Sequence, residues 1–358
     1  MKSERNSNIE LLRIIAMVLI FIGHWKEQCG YVYTGGTGLF VKLIGGAPHI
    51  CAGLFFVISA WFLVEKDPGY DKAYKIWLQM LFYHIVVGIT FRFFCEGSIG
   101  DFLWGFPLLG KYSLWFGRAY IIWLLFVPVL KKMCEALTDR QLQYFVILLM
   151  FFFCLEPSFH NIQDGRLLTI VWPCVVYITV YYIKKNKYSF IHTRIYKRIS
   201  GWLFILAAIL IYLAITIPQG LTGNSVIELA LTEFTLDIKS APSFIICLLL
   251  TMGTVKIKPI NNKLINWISS LAFGVYLIHQ EGGPRGNLWN RVYMSKIVEN
   301  GGIPEIAAYL IIIIIITFAA AFVLESIRKI LFKFFGRLKL FSAIHRGLRQ
   351  VAGWFRTE

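Results

Sequence analysis

Charge is scarce in this chain, and negative charge scarcest. Of 358 residues only 16% are Asp, Glu, Lys or Arg, and 20 acidic side chains face 36 basic ones. A soluble domain carries about 25% charged residues, so a water-facing globule is excluded. In place of charge the chain has 57% hydrophobic and 16% aromatic residues and a mean hydropathy of +0.64, the composition of a polytopic membrane protein. A formal charge of +16 would suit a nucleic-acid partner, but the basic residues collect in alternate loops, so none is expected. The seven cysteines (Cys29, Cys51, Cys95, Cys134, Cys154, Cys174 and Cys247) form no CxxC pair and no metal-ligand spacing. They read as buried apolar thiols, and no metal site is expected. One bridge among Cys29, Cys51 and Cys95, which lie toward the same side, stays open. Soluble-enzyme signatures are missing too: no GxSxG, P-loop, HExxH or helix-opening GxGxxG occurs.

A helix needs about 20 apolar residues to cross a bilayer. Ten such spans are predicted, at 8–25, 48–64, 76–94, 112–130, 142–158, 167–183, 200–218, 241–256, 264–280 and 303–327. The first keeps Glu10 and Arg13 and lacks a small-residue cleavage site, so it is read as a retained helix. With the N-terminus in the cytoplasm, 25 Lys and Arg fall in inner segments and nine in outer loops, while Arg13 and Arg118 lie within helices. That asymmetry puts both termini in the cytoplasm. The fold class is therefore all-α, an integral bundle of about ten transmembrane helices. A transmembrane domain over 1–335 is followed by a basic cytoplasmic tail over 336–358, which resembles an interfacial helix on anionic lipid. The basic-aromatic loop 184–199 is either another lipid anchor or a docking surface for a polyanionic cytosolic ligand. Within 219–240, SVIELALTEFTLDI could form a short amphipathic helix on the membrane.

Few polar residues interrupt the spans, and each needs a reason, because a charged group inside a bilayer costs about 2.5–3.5 kcal/mol on insertion scales. Arg13 and His24 share the first span. Eleven residues at about 100° each bring them to one helix face, about 16 Å apart along the axis. Two polar groups on one stripe at different depths point to a path into the membrane. The second span ends in GLFFVISAWFLV, which is charge-free and sets Gly53, Ser59 and Ala60 among aromatics. Its small residues serve either close helix packing or a smooth surface for a ligand chain. His279 and Glu281, after ISSLAFGVYLI, reach the same outer side as His24. Brought together, the three would make an acid/base site, since histidine titrates near neutrality and a carboxylate can orient it. Arg118 needs a carboxylate, a carbonyl or an anionic ligand. His84, mid-helix in the third span, is expected to bond a neighbouring helix.

These residues resemble the acyltransferase-3 family of bacterial membrane O-acyltransferases. The likeness rests on NIELLRIIAMVLIFIGHW, with ten residues between arginine and histidine, then FFVISAWFL, WF followed by Tyr120, and SSLAFGVYLIH, in order along nearly the whole chain. It implies ten helices in the bacterial cytoplasmic membrane and transfer of an acyl group, usually acetyl, from cytosolic acyl-CoA to a surface or lipid-linked glycan. Acyl-CoA is then a co-substrate, and no bound cofactor is expected. By position, His24 is the catalytic histidine, Arg13 helps bind the donor, and His279 falls in the late histidine motif. DKAYKIWLQM departs from the family's arginine-rich run and proline, leaving Lys72 and Lys75 as the cations there. No hydrolase-like extracytoplasmic domain follows, so acyl delivery finishes within the membrane unit or through a partner. A neutral His24 would act as general base on the acceptor hydroxyl or carry the acyl group transiently. Read from the residues alone, a transporter or a scaffold for a cell-wall enzyme remains open, although no repeat of broken helices supports transport.

Overall fold

The computed structural model describes residues 5–66, 69–95, 100, 106–108, 114–158, 165–221, 236–280, 289, 293, 295–335, 347 and 350. Among these residues the regular structure is entirely helical. In chain order the helices are α1 (Ser7–Cys29), α2 (Gly35–Gly45), α3 (Pro48–Leu63), α4 (Gly69–Cys95), α5 (Trp115–Ala136), α6 (Asp139–Met150) and α7 (Gly165–Lys185). They continue as α8 (Arg194–Arg198), α9 (Gly201–Leu221), α10 (Ala241–Lys256), α11 (Lys263–Ser269), α12 (Ala272–Gln280), α13 (Lys296–Glu299) and α14 (Ile303–Phe335). Each predicted apolar span overlaps one of these helices. Among the described residues five stretches are long and apolar enough to cross a membrane: Ser7–Cys29, Gly35–Leu63, Asp139–Ser158, Gly201–Pro218 and Ile303–Lys333.

Local chemistry sets the helix ends. Asn6 accepts the Asn8 N–H at 3.0 Å to open α1, and Gly30 closes it at φ 67°, a left-handed position that glycine adopts without strain. Thr138 and Gln141 form a reciprocal capping box at the start of α6. Proline occupies the first turn of α3, where its missing N–H costs nothing.

α3 is apolar on every side and is accordingly the central helix, packed against α1, α5, α7 and α10. At the other extreme, Ile311, Ile312, Ile315 and Ile316 of α14 are each more than half exposed, an apolar face fit for lipid. The small residues of α3 do not act alike. A Cβ on Gly53 would meet Cys247 Sγ at 3.5 Å, ordinary contact, whereas Ala60 is fully buried. The tight crossing lies elsewhere: a Cβ on Gly253 of α10 would sit 2.7 Å from the Gly201 carbonyl oxygen of α9. The six described cysteines are free thiols and five are buried; the Cys95 side chain falls outside the description.

Two features correct the sequence reading. Residues 35–45, between the first two predicted spans, form α2, which packs on α1 and on α9, where Tyr212 Oη donates to the Leu43 carbonyl at 2.7 Å. The continuous span expected over 264–280 is two helices. At the break Ser270 Oγ bonds back to the Trp267 carbonyl at 2.6 Å and Ser269 Oγ donates to Glu10 of α1. Serine side chains compete in this way with helical backbone bonds, which a count of apolar residues does not register. In the basic stretch beginning at 184, Lys184 is committed inward, to the Trp61 carbonyl at 2.8 Å and the Glu65 carboxylate at 2.9 Å. That hydrogen bond holds the Glu65 carboxyl below its ordinary value. The amphipathic segment read within 219–240 lies largely outside the described residues, as does nearly all of the tail from 336 onward.

Candidate functional site

One cavity of about 450 Å³ collects most of the polar residues singled out above. It is lined from α1 by Arg13 and His24, from α3 by Ser59, from α4 by Lys72, from α5 by Tyr120 and from α12 by Gln280. The eleven-residue interval along α1 makes it about 16 Å long, and its volume falls in the range of about 300–1,000 Å³ usual for small-molecule sites.

At one end His24 Nδ1 lies 3.1 Å from His279 Nε2, while His279 Nδ1 lies 2.6 Å from the Val275 carbonyl oxygen. A carbonyl only accepts, so His279 Nδ1 carries the proton and its Nε2 accepts when the ring is neutral. His24 Nδ1 must then donate, which leaves Nε2 as its basic nitrogen. Packing fixes this arrangement. His279 is fully buried, edge-on to Phe21 at 5.1 Å between ring centres, and Trp289 Nε1 donates to the His279 carbonyl at 3.1 Å. The expected convergence of the two histidines is therefore direct contact. Glu281 lies outside the described residues.

At the other end Arg13 pairs with Glu10 at 3.0 Å and Arg5 with the same carboxylate at 2.9 Å. Ser269 also donates to Glu10, whose side chain is 4% exposed. Two guanidinium groups share a single carboxylate, so the cluster keeps a net positive charge. Lys72 Nζ donates to Tyr120 Oη at 3.0 Å, and Tyr120 Oη shares a hydrogen bond with Ser59 Oγ at 2.8 Å. This end suits an anionic group, while the middle, lined by Met17, Ile20 and Phe116, is apolar.

Not every expected residue arrives. Arg118 is half-buried on α5 and does not line the cavity, because two residues before Tyr120 is about 200° around the helix. Lys75 is exposed one turn beyond Lys72 and is likewise absent from the lining. His84 is buried on α4 with its ring edge-on to Phe106, away from the cavity. The sequence reading missed Glu10 as a site residue although its i,i+3 spacing to Arg13 was visible. It also missed Gln280, for which the only signal was its place beside His279. Among the described residues no cluster of three metal-ligating side chains occurs.

Fold and cavity together define an all-helical, multi-pass membrane protein with a polar site enclosed among its helices. The family model described as an acyltransferase domain, that of the acyltransferase-3 family, matches residues 6–325, nearly the whole chain. The chain belongs to that family and is a membrane acyltransferase. No curated protein and no solved structure matches it.

Proposed function

We propose that this protein transfers an acyl group, acetyl by family habit, from cytosolic acyl-CoA to a hydroxyl of a cell-surface or lipid-linked glycan. It does so across the bacterial cytoplasmic membrane, in ten crossings with both termini inside. The observation that carries this reading is the cavity: cationic where Arg5, Arg13 and Lys72 meet, apolar in its middle, and closed by a histidine pair at its far end. An acyl-CoA has the matching order of parts. Its phosphates meet the cations, its uncharged pantetheine arm passes the apolar wall, and its thioester reaches His24. Anionic lipid around the basic inner loops completes the setting.

In this mechanism His24 Nε2 takes the proton of the acceptor hydroxyl as its oxygen attacks the thioester carbonyl. The imidazolium that forms is stabilised through Nδ1–H by His279, whose orientation the Val275 carbonyl holds. Collapse expels the CoA thiolate, which takes the proton back as free thiol. General-base assistance of this kind is worth about 10²–10⁴-fold. Arg13, Lys72 and Ser59 bind and position the donor and take no proton.

The test is transfer of radiolabelled acetyl from acetyl-CoA by purified protein, with mass spectrometry of surface glycans from cells with and without the intact gene. His24→Ala is expected to slow labelling by about 10²–10⁴-fold while membrane insertion is retained. Unchanged transfer by the purified variant would reject the assignment of His24.

A further inference from the structure

We propose that the Gln280 side-chain amide donates a hydrogen bond to the carbonyl oxygen of the acyl group in transit, which deepens the acyl-CoA reading above and rests on it. Gln280 is 6% exposed and lines the cavity, yet its Nε2 is buried and has no hydrogen-bond partner among the described residues. Buried amides are almost always satisfied, so an uncommitted one in a cavity wall points to a group that the cavity receives. Its backbone is held in place, since Gln280 follows His279 at the end of α12 and His279 is fixed by His24, Val275 and Trp289.

The chemistry requires such a donor. As the acceptor oxygen bonds to the thioester carbon, the carbonyl π electrons move to oxygen and the hydroxyl proton passes to His24. The tetrahedral oxyanion then reforms the carbonyl, the carbon–sulfur bond breaks, and thiolate plus proton leave as CoA thiol. The transient negative charge needs an N–H or a cation beside it. Arg13 cannot serve, because it lies about 16 Å from His24 along α1. Tyr120 is already engaged with Lys72 and Ser59, and His279 holds His24. Gln280 is neutral, so it can donate without competing with His24 for the proton.

The experiment uses the full-length purified protein and Gln280→Met, which keeps side-chain length and removes the N–H. Two unreactive donor analogues are titrated: a carba acetyl-CoA, with methylene in place of sulfur and the carbonyl retained, and S-ethyl-CoA, which has no carbonyl. Wild type is expected to bind the carbonyl analogue several-fold more tightly, and Gln280→Met to bind both alike with unchanged S-ethyl-CoA affinity. Turnover of the variant should fall about 10²–10³-fold, the usual effect of losing one oxyanion donor. A variant that keeps the preference for the carbonyl analogue, or a wild type that shows none, overturns the role of Gln280. A wild type that binds neither analogue overturns the acyl-CoA reading itself.

Discussion

Replacing His279 by phenylalanine should slow acyl transfer without weakening donor binding. Phenylalanine keeps the ring packed against Phe21 and Trp289 but deletes the 3.1 Å contact with His24 Nδ1. In the resting site that contact is a neutral hydrogen bond, worth about 0.5–1.5 kcal/mol net. When His24 holds the hydroxyl proton, the bond becomes charge-assisted and about twice as strong. The difference, about 0.5–1.5 kcal/mol, is felt only in the transition state and corresponds to about a two- to twelvefold loss of turnover. Loss of the ring's fixed tautomer adds to this, so a fall of about 10–100-fold in kcat with unchanged KM for the donor is expected. The assay is steady-state transfer over a range of acetyl-CoA concentrations, with the double variant His24→Ala, His279→Phe measured alongside. If the two histidines act as a unit, the double variant is no slower than His24→Ala alone. Losses that multiply, or a phenylalanine variant as fast as wild type, would refute the coupling.

Arg13→Gln should raise the donor KM by about tenfold with little change in kcat, below the full value of a charge-assisted bond because Glu10 shares the cation; a fall in kcat alone, seen in the same steady-state assay, would place Arg13 in the chemical step. At the α9–α10 crossing, Gly253→Val drives a side chain into the Gly201 carbonyl, 2.7 Å from the new Cβ, and should cost about 1–3 kcal/mol. Gly53→Ala, with 3.5 Å to Cys247 Sγ, should leave the melting temperature in detergent nearly unchanged, and equal melting of the two variants would contradict the packing argument. The Glu65–Lys184 contact carries a pH signature. Because the folded carboxyl lies below its ordinary value of 4.5, its contribution is complete above that value and is lost as pH falls through the lowered one. The melting difference between wild type and Glu65→Gln should therefore shrink in acid, whereas a difference constant from pH 7 to 3 would rule out this origin.

The all-helical character was legible from the hydrophobic runs: every predicted span overlaps a helix, and five described stretches are long and apolar enough to cross a membrane. The failures have separate causes, the first of them polar side chains acting at a distance in sequence. Ser269 reaches Glu10, 259 residues away, and the ninth span breaks beside it. α2 was hidden because GGTGLFVKLIG is glycine-rich and short, and it is stabilised by packing on α1 and α9 more than by its own propensity. At the site, helical periodicity was enough to put Arg13 and His24 on one stripe. It could not reveal that His279 would touch His24, since that contact spans 255 residues. Arg118 attracted attention as a charge within a span, but its angular offset from Tyr120 turns it away from the cavity.

Glu10 has a consequence for turnover on the acyl-CoA reading. The spent carrier leaves with the same phosphates that brought the donor in, so a doorway that gripped those phosphates with undiluted cationic charge would also hoard its product. By seating one carboxylate between Arg5 and Arg13, the chain blunts that grip from within. Recognition and release are thus balanced at the threshold by a residue that need never touch the reacting atoms.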